Sequence, residues 1–399
     1  MDFINDELDR LRSEGLYREL KIIEGEQGAK VRIGGREVIL LSSNNYLGLA
    51  SHPEIKKAAV SAIEKYGCGS GASRLISGSM ELHKELEEKI ASFKKTESAI
   101  LFNSGYTANL GVLSSICGKG DVIFCDKLNH ASIIDGCLLS GAELKRYPHK
   151  DIDALERLIK LTPPSPPYIK GGARGGKKRL IVTDGIFSMD GDIAPLREIV
   201  RLAKRYSAIL MIDDAHATGV LGKNGRGTVE YFGLNDSIDI IMGTLSKAVG
   251  SFGGFVAGRK KLIEFLVNKA RSFIYTTSLP PSVIASSIAA IDIIEKGDDL
   301  RDTLWENVSY LKDGLKNMGF DIMGSESQII PVFVGDTHRA VEMSQMLLKE
   351  GVFVQGIRPP TVPQGKSRLR VTVMATHSKA DLDAALESFE RVGKKLEIV

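Results

Sequence analysis

The sequence predicts an α/β protein with a mostly parallel central sheet flanked by helices, followed by a smaller C-terminal α+β domain. Three observations lead there. Short apolar runs alternate with amphipathic stretches up to about residue 290, a pattern that needs a parallel sheet with helices on both faces. Several of those runs end in polar or charged residues, as strand carboxyl ends do where they form a ligand-binding edge. Beyond residue 290 the alternation gives way to a long charged helix and two isolated strand-like runs.

The elements follow in order. Leu8, Leu11, Leu16 and Leu20 recur among charges and predict an amphipathic helix over residues 5–22. Residues 38–41 form a short strand closed by Ser42, Ser43 and Asn44. Helices are expected over 54–66, 82–93, 155–161 and 196–206, and strands over 122–125, 180–183, 210–212, 238–242 and 255–257, with a further apolar run at 99–102. A charged helix around 305–315 precedes strands at 329–334 and 369–373, with a helix between them and another closing the chain. The expected domains are 1–52 (N-terminal helix and short strands), 53–290 (large α/β domain) and 291–399 (small α+β domain). The irregular tract from Pro163, Pro164, Pro166 and Pro167 through Gly171, Gly172, Arg174, Gly175, Gly176, Lys177, Lys178 and Arg179 reads as a solvated loop. Its basic part resembles an RNA-binding tract, but it is a single copy without an aromatic platform.

Composition narrows the function classes. A chain of 399 residues, 43% hydrophobic and 26% charged, is an ordinary globular protein. A net charge of +3 argues against an extended nucleic-acid surface. No apolar run reaches membrane-spanning length, and the start (Asp2, Asn5, Asp6, Glu7) lacks a basic-then-apolar signal, so a cytoplasmic location is expected. Cys68, Cys117, Cys125 and Cys137 are scattered without a Cys-x-x-Cys pair, which favours buried reduced thiols over disulfides or zinc; no metal site is expected.

The chemistry lies at the strand ends. Lys247, in Thr244-Leu245-Ser246-Lys247 after an apolar run, presents an amine that can hold a carbonyl cofactor as a Schiff base. A lysine in such a place is otherwise a solvated charge. The run 209–212 ends in Asp213-Asp214-Ala215-His216, offering an acid for a pyridinium nitrogen and an imidazole beside the ring. Lysine, aspartate and histidine at adjacent strand ends are the minimal kit for pyridoxal 5'-phosphate (PLP). In Asn103-Ser104-Gly105-Tyr106 a polar turn enters a helix whose first amides can bind a phosphate, with Gly105 permitting close approach and Tyr106 available to the ring; the plainer alternative is an ordinary helix cap. His130 can stack on a flat cofactor or be structural, and Ser188 falls in a polar loop whose acids lack calcium-loop spacing. Gly67, Gly69 and Gly71 follow a helix rather than a strand and fail the context of a dinucleotide loop.

With these residues in view, the chain resembles the α-oxoamine synthases, fold-type I PLP-dependent transferases that condense an amino acid with an acyl-CoA. The likeness runs from Asn44-Asn45-Tyr46-Leu47-Gly48-Leu49 to Arg368-Leu369-Arg370, through Gly69–Arg74, Asn129–Ser132, Asp184–Gly191 and Asp213–His216. The resemblance implies that Lys247 carries PLP and that Asp213 meets the pyridine nitrogen. It places His216 and Ser188 at the phenolic oxygen and His130 on the ring face. Gly105, Tyr106 and Thr244 then surround the cofactor and its phosphate. Thr276 and Thr277 match positions that reach the phosphate of a neighbouring subunit, implying a homodimer with shared sites. Arg370 is expected to take the carboxylate of glycine, with Asn44, His130, Arg18, Arg358 and Thr361 also on the substrate side. Two branches of the family compete for the acyl donor. Ile357-Arg358-Pro359-Pro360-Thr361-Val362-Pro363 resembles the branch using pimeloyl-CoA or a pimeloyl carrier-protein thioester, whereas Asn129–Gly136, Gly243–Leu245 and Gly15–Arg18 lean toward the branch using acetyl-CoA. The first block borders the acyl substrate and is given the greater weight. A PLP aminotransferase would need different arginine placement, and a catalytically silent scaffold is disfavoured by the joint presence of Lys247, Asp213 and His216.

Overall fold

The computed structural model describes residues 1–162 and 177–399. The loop expected at 163–176 lies outside the described residues. The chain forms two compact units, one of His52–Phe187 and Ile193–Asp298, the other of Met1–Ser51, Ser188–Asp192 and Asp299–Val399.

The strands are, in chain order, β1 (Lys30–Ile33), β2 (Arg36–Leu40), β3 (Ser98–Phe102), β4 (Val122–Asp126), β5 (Glu143–Tyr147), β6 (Arg179–Asp184), β7 (Ile209–Asp213), β8 (Ile240–Thr244), β9 (Gly254–Gly258), β10 (Ile329–Gly335), β11 (Val352–Phe353), β12 (Gln355–Ile357) and β13 (Ser367–Thr372). The larger unit holds a seven-stranded sheet in the order β3-β9-β8-β7-β6-β4-β5. Strands β8, β7, β6, β4 and β5 are mutually parallel. Strand β9 is antiparallel to both β8 and β3. Those two reversals cancel, so β3 again points the way β8 does.

Side-chain alternation splits the sheet's residues between two cores, as the pleat requires. Ile123, Cys125, Val182, Met211 and Met242 join one core with Val112 and Leu113 from the helix Gly105–Ile116. Val122, Phe124, Ile181, Leu210, Ile212 and Ile241 join the other with Leu155 and Leu202 from the helices Ile152–Lys160 and Leu196–Arg205. Helices therefore cover both faces, as the alternation predicted.

In the smaller unit, β1 pairs antiparallel with β2, which pairs parallel with β11, so N-terminal and C-terminal segments share one sheet. A second sheet, β10-β13-β12, is antiparallel throughout. The helices Thr337–Lys349 and Lys379–Lys395 follow β10 and β13.

Several expectations are corrected. The first helix is Asp2–Ser13 and does not reach residue 22. Gly15 adopts φ +67°, and the amides of Leu16 and Tyr17 turn back to the Leu11 carbonyl, which ends the helix. Strand β5, Glu-Leu-Lys-Arg-Tyr, escaped the apolar pattern because it is a sheet edge with a half-polar sequence. Arg179 belongs to β6 rather than to a solvated loop: it is buried and donates to the Tyr206 and Thr162 carbonyls. Three cysteines are buried thiols, whereas Cys68 is exposed.

Gly243 shows how tightly the strand leading to Lys247 is packed. It faces Phe255 across β8 and β9, and a Cβ there would lie 2.3 Å from the ring. Gly243→Ala should lower unfolding free energy by about 1–3 kcal/mol, the usual cost of overpacking. Gly243→Ala/Phe255→Leu should recover part of that loss. Denaturant melts of the two variants check this; equal losses would show that the strain is not at this pair.

Candidate active site

Because of the strand polarity, the carboxyl ends of β3, β8, β7, β6 and β4 share one edge of the large unit's sheet. Asp213 ends β7 and Asp184 ends β6, directly paired in register. Lys247 follows β8, His130 follows β4, and Gly105 opens the helix after β3. Lys247, Asp213, His216, His130, Gly105, Tyr106 and Thr244 are thus carried by one edge.

Asp213 is 4% exposed and held by two N–H donors: Asn109 Nδ2 reaches Oδ2 at 2.8 Å and the Ala215 amide reaches Oδ1 at 3.0 Å. Asn109 also donates to Ser132 Oγ at 2.8 Å, while its own buried Oδ1 has no partner. Asp184 accepts from the His130 amide at 2.8 Å. Burial, reinforced by Asp213, drives the Asp184 pKa well above the usual carboxylate range, against the opposing His130 N–H. Burial thus favours the neutral form of Asp184. His216 is buried, as is Thr244.

His130 caps the helix Ala131–Ser140, its Nδ1 accepting from the Ser132 amide and lying 2.8 Å from Ser132 Oγ. With Nδ1 an acceptor, the ring proton sits on Nε2. Desolvation by surrounding atoms lowers the His130 pKa, Asp213 opposes this and Lys247 adds to it, so the ring is neutral near pH 7 although the residue has an exposed side.

The helix Gly105–Ile116 combines both readings of its start. Ser104 caps it through the Thr107 amide, which is the ordinary cap. The Gly105 and Tyr106 amides precede the first intrahelical bond and point outward at the positive end of the dipole. A Cβ on Gly105 would be in ordinary contact at 3.7 Å with Met242 and Thr244, so packing alone does not require glycine. Tyr106 is exposed and its hydroxyl donates to Asp135. Thr244 Oγ1 donates to the Gly253 carbonyl, and Ser246 Oγ makes the same contact. These hydroxyls tie the Lys247 loop to the segment entering β9. Asn103 Nδ2 donates to Thr276 Oγ1 and to the Thr277 carbonyl, and Thr277 bridges to Ser73.

The remaining candidates belong to the smaller unit. Arg370, on β13, is buried; its Nε donates to the Ser188 carbonyl at 2.6 Å and its Nη2 to Asn44 Oδ1 at 3.2 Å and Tyr46 Oη at 3.5 Å. Nη1 is not used in these contacts. Arg368 pairs with Asp190 and anchors the Ser188–Asp192 segment. Arg358 is 8% exposed, donates from Nη2 to the Tyr17 carbonyl, and keeps a buried Nε without a partner. Desolvation, then the charge of Arg18, lowers its pKa. Thr361 is exposed, its amide bonded to the Arg358 carbonyl.

Sequence reasoning missed Asn109 and Asp184. Asp184 ends a predicted strand just as Asp213 does, a usable signal. Asn109 lies one helical turn past Gly105 inside an apolar helix, where a buried amide needs partners.

Residues 36–389 match the sequence profile described as Aminotransferase class I and II, and the chain belongs to that family. Its fold is the fold-type I arrangement of PLP-dependent enzymes. The chain is 57% identical over 401 residues to the 8-amino-7-oxononanoate synthase of Citrifermentans bemidjiense, covering 100% of both chains. It is 55% identical to the enzyme of that name from Geotalea daltonii, covering 99% of each. Among solved structures, the Sphingomonas wittichii serine palmitoyltransferase superposes with a TM-score of 0.91 at 34% identity, covering 100% of this chain and 98% of that one. The Francisella tularensis 8-amino-7-oxononanoate synthase gives 0.76 at 30%, covering 91% and 99%. The blocks that leaned toward acetyl-CoA have structural work of their own: Asn129 donates to the Val182 carbonyl, and Gly243 makes room for Phe255.

His83 holds the segment carrying Thr276 and Thr277 in place. Nδ1 accepts from the Met80 amide and Nε2 donates to the Leu279 carbonyl at 3.1 Å, which defines a neutral ring. Desolvation, then Arg74, brings its pKa down to about 4. Between the unfolded value of 6.5 and about 4 the unfolded chain binds the extra proton, so stability is complete above pH 6.5 and falls as pH drops through that window. The expected slope from this group is about 1.4 kcal/mol per pH unit. His83→Gln should flatten the acid limb of a melting-temperature profile; an unchanged slope would exclude His83 as its source.

Proposed function

We propose that this protein condenses glycine with a pimeloyl thioester, either pimeloyl-CoA or its carrier-protein equivalent, as a cytoplasmic step of biotin synthesis. The products are 8-amino-7-oxononanoate, carbon dioxide and the free thiol. The observation that carries this reading is the 57% identity to a synthase of that name over the full length of both chains.

The cofactor is PLP, and the residues fit it. Buried Asp213 offers a carboxylate suited to a pyridinium N–H, the Gly105 and Tyr106 amides suit a phosphate, and Lys247 supplies the amine. When bound, PLP supplies an electron sink for the charge left as the α-proton of glycine departs. Lys247 Nζ takes that proton and later returns one. Asp213 holds a proton at the ring nitrogen by its charge. His130 would stack on the ring face, and His216 and Ser188 would be the donors for the phenolic oxygen. Thr276 and Thr277 would hold the phosphate of the cofactor in a second subunit, which makes the working form a homodimer with shared sites.

Arg370 receives the glycine carboxylate. Its Nε and Nη2 contacts with Ser188, Asn44 and Tyr46 set the guanidinium plane, and Nη1 is available for a charge-assisted bond. Arg358 and Arg18 take the remote carboxylate of the pimeloyl chain, with Thr361 beside the path. A buried guanidinium with an orphaned Nε next to a second arginine is a setting that an anion relieves.

A side-by-side assay of pimeloyl-CoA and acetyl-CoA with carboxyl-labelled glycine tests the reading. Higher kcat/KM for pimeloyl-CoA with one labelled carbon dioxide per turnover is expected. A preference for acetyl-CoA with the label retained in the first product would replace it with the acetyl-transferring branch. Arg370→Lys should raise the KM for glycine about 10- to 100-fold while sparing the thioester KM, from loss of charged hydrogen bonds. Equal effects on both substrates would remove Arg370 from the glycine site.

A further inference from the structure

A buried ion pair outside the assigned site sits one residue from Asp213. Lys94, in the last turn of the helix Glu81–Lys94, and Asp214 have side chains 1% and 0% exposed. Lys94 Nζ donates to Asp214 Oδ2 at 2.9 Å, Thr218 Oγ1 at 2.8 Å and the Arg226 carbonyl at 2.6 Å, which uses all three ammonium protons. Asp214 Oδ1 accepts from the Thr228 amide at 3.1 Å and Thr228 Oγ1 at 2.7 Å. The surrounding backbone is shaped to admit this carboxylate: at Gly227, with φ +101°, a Cβ would lie 1.7 Å from Oδ2, and at Gly185 one would lie 3.0 Å from Oδ1.

The main chain of Asp214 is equally constrained. Its amide donates to the Met242 carbonyl of β8, and its carbonyl accepts from the Ala217 and Thr218 amides and from Thr218 Oγ1. The turn so held supplies the Ala215 amide that orients Asp213 Oδ1, and it carries His216. Successive residues point to opposite sides, so Asp214 is directed into the protein while Asp213 serves the strand-end edge.

We propose that Lys94 and Asp214 form a positioning pair that sets the Asp213–His216 turn. The inference rests on the preceding reading for what that turn faces. A buried ion pair is poor evidence for stability as such, since neutral replacements of both partners are often neutral or stabilising, whereas removal of one partner is costly. That asymmetry separates positioning from packing.

The test compares wild type, Lys94→Met, Lys94→Met/Asp214→Asn and Thr218→Val, the last keeping both charges in place. Three quantities are measured: melting temperature, hydrogen exchange of the 209–220 segment in cofactor-free protein, and PLP affinity together with the pH midpoint of the bound cofactor's visible absorbance. Lys94→Met should melt lower, because Asp214 is left buried without its cation. The double variant should regain most of the melting temperature yet keep faster exchange in 209–220, bind PLP about tenfold or more weakly, and show a shifted absorbance midpoint. Thr218→Val should shift exchange and midpoint in the same direction by less. Wild-type exchange, affinity and midpoint in the double variant would overturn the proposal and leave the pair a packing element. If the double variant does not refold, unchanged exchange and midpoint in Thr218→Val would overturn it instead. Wild-type protein without any PLP absorbance would defeat the functional reading alone, and exchange in cofactor-free protein would still decide the positioning role.

Discussion

Strand direction is the constraint from which the large unit's chemistry follows. Backbone hydrogen bonding permits β9 to run against both neighbours, and the paired reversal returns β3 to the polarity of β8. The helix Gly105–Ile116 therefore starts at the edge where β7 delivers Asp213 and the chain after β8 delivers Lys247. A single reversal would have left the amides of Gly105 and Tyr106 at the far edge of the sheet. An amine, a carboxylate and a helix N-terminus at one edge make a setting for a ligand that is at once a carbonyl, a base and an anion.

Charge is the second organising term. Three acids, Asp184, Asp213 and Asp214, crowd the ends of β6 and β7, each at most 4% exposed. Burying like charges together is unfavourable unless each finds its own answer. Asp214 has Lys94, Asp184 has its pKa raised by burial and accepts from the His130 amide, and Asp213 rests on the neutral donors Asn109 and Ala215. The result differentiates three chemically similar side chains by environment alone. A carboxylate whose partners are neutral donors is not already engaged by a cation, whereas Asp214 is taken up by Lys94.

The arginines of the smaller unit are held by a different device. Arg370 and Arg358 are both buried, and each is fixed by neutral oxygens (the Ser188 carbonyl, Asn44 and Tyr46 for one, the Tyr17 and Gly356 carbonyls for the other) rather than by acids. Neutral acceptors set a guanidinium's direction without neutralising it. Arg368 shows the contrast, since its pairing with Asp190 turns it into an anchor for the Ser188–Asp192 segment. Three arginines close in sequence thus differ in what accepts their N–H groups: an acid for Arg368, neutral oxygens for Arg370 and Arg358.

Much of this was legible in the chain. Short continuous apolar runs located β4, β6, β7 and β9 to within a residue or two, because strands buried on both faces admit little but apolar side chains. Lysine, aspartate and histidine just past such strands announced the cofactor chemistry, since strand ends are where polar groups can face a ligand. The half-polar edge strand β5 and the stop at Ser13, set by a backward turn onto Leu11, were not legible, because pattern rules weigh neither edge position nor φ at Gly15. The roles of Asn109 and Lys94 were decided only by tertiary structure. Their partners Asp213 and Asp214 lie 104 and 120 positions away. The sequence by itself determined which chemical groups stand at the sheet edge. Only the folded chain decided which of three neighbouring acids meets a cation and which meets neutral donors, because that depends on the groups packed around each one.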